Sequence, residues 1–251
     1  SFPTRRSSDL VTDKAGVACR GLHSTGAVFA DVDTDGRLDL LVATLGTGVH
    51  CFHNEGAGGF RETTAEAGLS ARAGSTTLAL GDLNGDGSLD LYVANYGAVS
   101  LFRSGGRAEM RNVNGQWVFS GPYAERLRFV NGRIEELGEP DTLYLNDGRG
   151  HFRPVPWNSE FFRDEEGRPM PPPMDFGLTV QFRDLDGDGS LDIYVCNDFK
   201  TPDRVWINDG KAHFRALPTL AMRKPRFSSM GVDCADIDHD GSLDFLTTEM
   251  I

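Results

Sequence analysis

The nonapeptide DLDGDGSLD at residues 184–192 is the most informative segment of the chain, because three closely similar nonapeptides occur elsewhere. They are DVDTDGRLD at 31–39, DLNGDGSLD at 82–90 and DIDHDGSLD at 236–244, and in chain order we call the four nonapeptides loops 1 to 4. Their first residues are separated by 51, 102 and 52 residues. A motif that returns at such intervals indicates an array of one supersecondary unit.

A second motif shows that the long interval is a single enlarged repeat. A turn ending in Phe occurs as NEGAGGF from Asn54, NDGRGHF from Asn146 and NDGKAHF from Asn208. The turn Asn follows the first Asp of its loop by 23 residues in the first repeat and 24 in the third, but by 64 in the second. The second repeat therefore carries two insertions, at about 97–141 and 157–175.

Short apolar runs flank every loop and every turn. In the third repeat they are TVQF at 179–182, IYVC at 193–196 and VWIN at 205–208, and Phe214 begins a fourth run. Apolar runs joined by Asn-Gly-type turns predict β-hairpins. Four short strands in each repeat predict an all-β protein, a β-propeller of four-stranded blades.

The repeat also predicts the blade boundaries. We expect blades at 24–75, at 76–175 with the two insertions, and at 176–228, with the tail of a preceding blade at 11–23 and a truncated blade at 229–251. Residues 1–10, SFPTRRSSDL, read as a translated sequencing adapter and are excluded from the fold. We therefore expect a fragment of a larger propeller, without the natural N-terminus and any signal peptide.

The loops carry acidic side chains at alternate positions. Oxygen-bearing residues occupy positions 1, 3, 5 and 9, a glycine at position 6 permits a sharp bend, and position 7 can offer a backbone carbonyl. The predicted ligands are Asp31, Asp33, Asp35, Arg37 and Asp39; Asp82, Asn84, Asp86, Ser88 and Asp90; Asp184, Asp186, Asp188, Ser190 and Asp192; and Asp236, Asp238, Asp240, Ser242 and Asp244. Carboxylates this close repel one another unless a cation joins them.

Calcium is the predicted ion, about one for each loop. Ca²⁺ takes six to eight oxygen ligands, whereas Mg²⁺ takes fewer protein ligands and keeps its water. An EF-hand is excluded because its position 12 requires Glu, and the residues there are Val42, Val93, Val195 and Thr247. A metal-free acidic turn remains the alternative. The apolar residues at positions 2 and 8, Leu at every position 8, are expected to pack into the blade.

Charge and cysteine content limit the class of protein. The formal net charge of −12 disfavours nucleic acid as a partner, and four Ca²⁺ ions would reduce it to −4. No apolar run approaches the ~20 residues that cross a bilayer. Cys196 and Cys234 lie in predicted core strands and are expected to behave as small hydrophobes, with a disulfide as the alternative.

These motifs resemble a known family. The loops and the turns that follow them are similar to FG-GAP/VCBS-like repeats, and residues 197–214 and 227–250 resemble the bacterial relatives of cartilage acidic protein, which are associated with ASPIC/UnbV domains. The resemblance covers 11–251 apart from the insertions. It implies a seven-bladed, integrin-like propeller that binds calcium between the first and second strands of each blade, with roles in cell-surface recognition and adhesion.

The remaining candidate residues divide into core and surface. Phe52, Tyr144 and Trp206 share one repeat position and are expected in the core between blades. His151 and His213 share a turn position and are expected to be structural, and His239 is expected to be exposed. The insertions are the better candidates for a binding face, with a disordered or self-packed segment as the alternative. Their candidate residues are Arg103, Arg107, Arg111, Trp117, Tyr123, Arg126, Arg128, Trp157, Phe161, Phe162 and Pro171–Pro173.

The sequence thus favours a calcium-binding module that recognises an extracellular protein or glycan. We expect it to be secreted, periplasmic or on the cell surface, because calcium is abundant there and extracellular modules bind it with Kd of roughly 10⁻⁴–10⁻³ M. No GxSxG, HExxH, P-loop or dinucleotide motif is present, so we expect no enzyme. The alternatives are a calcium-stabilised lyase or hydrolase of polysaccharides and a structural spacer in a large surface protein.

Overall fold

A computed structural model of the chain describes residues 10–69, 72–98, 109–121, 123–157, 161–199, 201–218, 221 and 228–250. The predictions for residues 1–9 and for Arg103 and Arg107 lie outside these ranges. The described residues are almost entirely strands and turns. A short helix α1 at Thr12–Ala15, a 3-10 turn at Ala124–Arg126 and the 3-10 conformation of Ala221 are the exceptions. No helix within these ranges has the length and apolar composition that crossing a bilayer requires.

The strands form antiparallel sheets that follow the repeat. Sheet 1 consists of β1 Ser24–Ala30, β2 Asp39–Thr44, β3 Gly48–Gly56 and β4 Gly59–Glu62, paired in chain order. Sheet 2 consists of β5 Ser75–Gly81 and β6 Asp90–Asn95, followed by β11 Thr142–Asn146 and β12 Phe152–Pro154. Sheet 3 consists of β14 Gly177–Arg183, β15 Asp192–Asn197, β16 Arg204–Asn208 and β17 Phe214–Ala216. Sheet 4 is the pair β18 Ser229–Ala235 and β19 Asp244–Glu249.

The insertions add short strands of their own. In the first insertion β7 Glu109–Val113 pairs with β8 Gln116–Ser120, and β9 Leu127–Val130 pairs with β10 Arg133–Glu136. In the second insertion β13 Phe162–Arg163 pairs in parallel with β17, so this segment extends sheet 3 by a fifth strand. The sequence gives four strands for each blade but does not predict this edge strand, which depends on a contact with the following repeat.

Burial explains why these runs become strands. All six residues of β2, of β6 and of β15 are buried, as expected for the central strands of sheets covered on both faces. The first strands of successive sheets lie side by side, and threonine hydroxyls link them. Thr25 Oγ1 donates to the Ser75 carbonyl at 2.7 Å, Thr76 Oγ1 donates to the Gly177 carbonyl at 2.8 Å, and Thr179 Oγ1 donates to the Met230 carbonyl at 2.9 Å. The four sheets therefore succeed one another like propeller blades.

Three apolar clusters fill the spaces between successive sheets. Tyr144 lies in the cluster between sheets 1 and 2, Trp206 lies in the cluster between sheets 2 and 3, and both are buried as predicted. Phe52 is also buried, against Leu40, Val42 and the segment that precedes sheet 1. Cys196 and Cys234 lie in the cluster between sheets 3 and 4, and all four cysteines are free thiols.

The apolar loop positions pack in opposite directions. Val32 at position 2 and Leu89 at position 8 of the next loop share the cluster between sheets 1 and 2, and Leu83 and Leu191 share the next cluster. Position 2 thus contacts the following sheet and position 8 the preceding one. The prediction that all eight positions pack into the blade is wrong for Ile237, which is 65% exposed, and for Leu38, which is 55% exposed. No described sheet covers either side chain.

Strand direction puts the loops and the insertions at opposite ends of the sheets. Loops 1 to 4 join first to second strands, and the Asn turns join third to fourth strands, so both lie at one end of antiparallel sheets. The first insertion joins β6 to β11, and the second joins β12 to β14. Both insertions therefore emerge at the other end, which we call the insertion face.

Candidate metal centres

The same backbone hydrogen bonds hold the first Asp of each loop. An oxygen of Asp31, Asp82, Asp184 and Asp236 accepts the N–H of the glycine at position 6, at 2.9, 2.9, 2.9 and 3.1 Å. That glycine has φ between 85° and 90° in all four loops, as the sequence predicted. Position 4 is also left-handed in every loop, even where it is Thr34 or His239 with φ of 62°. The tight turn therefore fixes where the first carboxylate points.

Positions 3 and 5 are held in a similar way. The side-chain oxygen at position 3 accepts the N–H of position 5 at 3.0–3.3 Å in all four loops. One oxygen at position 5 accepts the N–H of position 7 at 2.7–2.8 Å. Each carboxylate oxygen has more than one lone pair, so these bonds orient the group and leave acceptor capacity for a cation.

The Asp at position 9 is the buried member of the set. Asp39, Asp90 and Asp192 are at most 1% exposed. One oxygen of each accepts the N–H of position 2, at 2.8–3.3 Å, and the other accepts the N–H of the turn Asn, at 2.8–3.0 Å. Position 9 thus joins its loop to the third strand of the same sheet, a role that spacing alone does not reveal.

The donor sets fit a hard cation. In loop 3 oxygens of Asp184, Asp186 and Asp192 lie within 4.8 Å of one another, and loop 4 gathers Asp236, Asp238 and Asp244 in the same way. Loop 1 brings together Asp31, Asp33 and Asp35. In loop 2 the Asn84 side chain takes position 3, where its Oδ1 accepts the Asp86 N–H at 3.0 Å. Oxygen donors gathered this closely are the ligands that Ca²⁺ prefers.

Burial, aided by mutual repulsion, raises the pKa of several loop carboxyl groups. Burial raises the pKa of Asp90 to about 6, aided by the charges of Asp86 and Asp82. The pKa of Asp192 is raised by burial and by Asp186 and Asp188, and that of Asp33 is raised by burial, Asp39 and Asp35. A divalent cation among these groups would remove the repulsion.

The turn asparagines connect neighbouring sheets. Asn146 Nδ2 donates to the Val32 carbonyl in loop 1 at 2.8 Å, and Asn208 Nδ2 donates to the Leu83 carbonyl in loop 2 at 2.8 Å. Each of these amides also donates to position 8 of its own loop, at 3.2 and 3.0 Å. His151 and His213 place Nδ1 2.9 Å from the turn residues Asp147 and Asp209, which agrees with the structural role predicted for them.

A second recurring carboxylate lies away from the loops. Asp141 accepts the Tyr92 hydroxyl at 2.9 Å and the Asn95 N–H at 2.8 Å, and Asp203 accepts the Tyr194 hydroxyl and the Asn197 N–H, both at 2.9 Å. Burial raises the pKa of Asp141 to about 7, and burial also raises the pKa of Asp203. The loop and turn motifs do not include this pair, although PDTLYLN at 140–146 and PDRVWIN at 202–208 carry its pattern in the sequence.

The insertion residues divide into buried anchors and exposed rings. The expectation of a surface role is wrong for Phe162, which is fully buried and stacks on Trp157 with ring centroids 3.9 Å apart. Arg126, 6% exposed, lies 3.2 Å from Glu139 and is likewise internal. Trp117 and Phe129 are 47% and 40% exposed, and their ring centroids are 6.1 Å apart. We call Trp117 and Phe129 together the exposed aromatic patch.

Sheets and loops together define a β-propeller assembled from repeats with acidic loops. The family model for FG-GAP-like repeats matches residues 31–93 and 184–247, just over half of the chain, so the chain belongs to this family. No curated protein matches the sequence. Among solved structures, the chain is similar to a lectin of Agrocybe aegerita that specifically recognises non-reducing terminal N-acetylglucosamine. The identity is 16% and the TM-score 0.30, over 88% of this chain and 59% of that one, so the present chain spans less than two thirds of its length.

Proposed function

We propose that this chain is a calcium-binding propeller module that recognises an extracellular protein or glycan. The observation that supports calcium most directly is the common geometry of the loops. In all four, backbone N–H groups at positions 6, 5 and 7 hold the carboxylates or amide at positions 1, 3 and 5. Side chains held in place before binding lose less conformational entropy when they bind a cation.

The charge of the chain supports a calcium-rich location. The formal net charge is −12, and 15 of the 37 acidic residues lie in the loops. Extracellular modules of this kind bind Ca²⁺ with Kd of roughly 10⁻⁴–10⁻³ M, so that the loops would fill outside the cell and not in cytosol. We therefore propose that the protein is secreted, periplasmic or displayed on the cell surface.

The exposed aromatic patch is the proposed recognition surface. Trp117 and Phe129 lie on the two hairpins of the first insertion, and the half-exposed Arg128 extends from β9 with its guanidinium 3.2 Å from Glu135. Exposed aromatic rings beside arginine are common at protein and glycan interfaces. Because the patch lies at the insertion face, a ligand there would leave the loops free for calcium.

A structural role accounts for the perturbed carboxyl groups better than catalysis does. Asp141 and Asp203 have raised pKa values away from the loops, as catalytic acids often do. Both oxygens of each already accept hydrogen bonds from a tyrosine and from backbone, and the arrangement recurs in two sheets. Recurrence in two sheets supports a structural role for these groups.

The experiment that tests this proposal combines calcium titration with ligand screening. We expect calorimetric titration to detect heat of Ca²⁺ binding to the intact chain. In Ca²⁺, glycan and protein arrays should then give a reproducible binder. Trp117→Ala should weaken binding to it by about tenfold or more, because truncating a central aromatic anchor costs upwards of ~1.4 kcal/mol.

Val113→Ala is the matched control. Val113 is 45% exposed on the same hairpin, and the alternation of side chains puts it on the face opposite to Trp117. Its truncation should leave binding unchanged. Absence of any Ca²⁺ heat would refute the calcium proposal, whereas calcium binding without an array ligand would favour a structural spacer.

A further inference from the structure

Loop 1 differs from the other three loops at position 7. Arg37 stands there in place of serine, and its guanidinium forms an ion pair with Asp35 at position 5. Its Nε also donates to the Asn54 carbonyl at 2.7 Å. A positive side chain therefore already engages an oxygen that a calcium ion would otherwise use. The ion pair between Arg37 and Asp35 therefore weakens the set of oxygen ligands that loop 1 offers to calcium.

Loop 1 also faces a histidine that the second and third repeats lack. His53 lies on β3, one residue before the turn Asn, where the second and third repeats have Leu145 and Ile207. Its Nδ1 lies 3.1 Å from Oδ2 of Asp33 and 3.2 Å from Oδ1 of Asp39. By contrast, Nδ1 of His151 and of His213 approaches one carboxylate oxygen each, at 2.9 Å. The imidazole of His53 thus sits between two carboxylates.

The ligand atoms of Asp33, Asp39 and His53 are separated by distances that suit a common metal ion. Their ligand atoms all lie within 4.8 Å of one another. For bonds of ~2.0–2.2 Å, the edge of a zinc tetrahedron is roughly 3.3–3.6 Å, close to the two Nδ1–oxygen distances. An ion could therefore enter with small side-chain adjustments.

A pocket opens onto these three side chains, and backbone hydrogen bonds hold one of them in place. A pocket between sheets 1 and 2 is lined by Asp33, Asp39 and His53 together with Arg149 and His151 of the next turn. Water in such a pocket can complete the coordination. Backbone N–H groups of Val32 and Asn54 donate to Asp39 at 3.3 and 2.8 Å. The carboxylate of this ligand is therefore held in a fixed orientation.

We propose that Asp33, Asp39 and His53 form a site for a borderline divalent cation such as Zn²⁺, and that this site shares two ligands with loop 1. Imidazole nitrogen is a good ligand for Zn²⁺ and a poor one for Ca²⁺, which prefers oxygen. Because Asp33 and Asp39 also belong to loop 1, zinc and calcium compete there and not in loops 2 and 3. The site goes beyond the proposed recognition function and does not require calcium in the other loops.

The test is a Zn²⁺ titration of the intact chain, followed by calorimetry, first without Ca²⁺ and then in added Ca²⁺, which should weaken zinc binding by competition. Binding of Co²⁺, followed by its visible absorption bands, gives a second readout of the ligand set. We expect one Zn²⁺ site in the wild type. His53→Leu should weaken it by at least about tenfold, since even changes to residues that only support a ligand cost 10–100-fold.

The controls separate this site from nonspecific zinc binding. Leucine is native at the same position in the second repeat, so His53→Leu should fold, which far-UV circular dichroism checks. His151→Ala removes a neighbouring imidazole of the same pocket and should retain the site. Wild-type Zn²⁺ affinity in His53→Leu would overturn the proposal, as would a wild type with no Zn²⁺ heat. Failure of the calcium proposal is distinguishable, because it abolishes Ca²⁺ heat and leaves zinc binding in place.

Discussion

At the scale of single residues, the environment separates two kinds of carboxylate. Those at positions 1, 3 and 5 lie at the surface and are oriented by backbone N–H groups within the loop. Asp141 and Asp203 are instead enclosed between a tyrosine hydroxyl and a backbone N–H. Burial disfavours the ionised form of a carboxyl group. Asp141 and Asp203 therefore make the free energy of unfolding depend on pH.

Asp141 predicts that stability falls as the pH rises. Its pKa is about 7 in the folded chain and about 4 when unfolded, so the native state holds the proton more tightly. The stabilisation is complete below pH ~4 and is lost as the pH rises through ~7, with a slope of at most about 1.4 kcal/mol per pH unit. Chemical denaturation between pH 5 and 8, in saturating Ca²⁺ to keep the loops ionised, measures this slope.

Asp141→Asn removes the titrating group, so the free energy of unfolding should depend less steeply on pH than in the wild type. The exposed Asp13→Asn is the matched control and should leave the slope as in the wild type. A residual slope in Asp141→Asn is expected from Asp203, whose pKa is also raised by burial. If the unfolding free energy of Asp141→Asn changed with pH as steeply as that of the wild type, Asp141 could not be the group responsible for the slope.

At the scale of elements, the turn between the third and fourth strands does more than reverse the chain. Asn146 and Asn208 are 4% and 2% exposed, and each donates to its own loop and to the loop of the preceding sheet. Asn54 has the same turn position but donates to Leu38 of its own loop. The turn is therefore a connection between blades wherever a preceding sheet lies next to it.

Asn146→Ala should cost more stability than the same change in the first repeat. It leaves the buried Val32 carbonyl without its side-chain donor, and a buried group left unsatisfied costs about 1–3 kcal/mol in addition to the lost bonds. Asn54→Ala is the matched control and should cost about 1 kcal/mol, because its carbonyl partner is exposed. Urea unfolding of the two variants measures the difference, and equal losses would contradict the connecting role.

At the scale of the whole molecule, the sheets share one succession of apolar clusters, and the acidic loops all lie at one end. Position 2 of one loop and position 8 of the next pack in the same cluster, so loops 2 and 3 are each attached to two neighbouring clusters. A cation that orders a loop would therefore also stabilise the contacts between sheets.

Calcium should raise the melting temperature of the intact chain. With Kd of roughly 10⁻⁴–10⁻³ M, 10 mM Ca²⁺ contributes about 1–3 kcal/mol for each filled site. Differential scanning calorimetry in Ca²⁺, in Mg²⁺ and in chelator measures the shift. Mg²⁺ should have the smaller effect, because it binds fewer protein oxygens. An identical melting temperature in Ca²⁺ and in chelator would exclude calcium as a stabilising ligand.

The sequence alone determined the repeat, the strands and the loop chemistry. Their period and alternation are local properties, because hairpins form between neighbouring segments and a nine-residue turn gathers its own carboxylates. DLDGDGSLD and the NDG turns therefore predicted the four-stranded sheets, and Gly189 predicted the left-handed bend, with φ of 90°.

Tertiary structure decided what depends on contacts between repeats. Phe162 was a candidate for a binding face but is buried, because β13 pairs with a strand more than 50 residues later. The Asn146 and Asn208 amides also join distant segments, because they donate to the Val32 and Leu83 carbonyls of the preceding repeats. Distances of this kind are fixed only when the sheets pack together, since no local period in the sequence encodes which side chains will face one another across them.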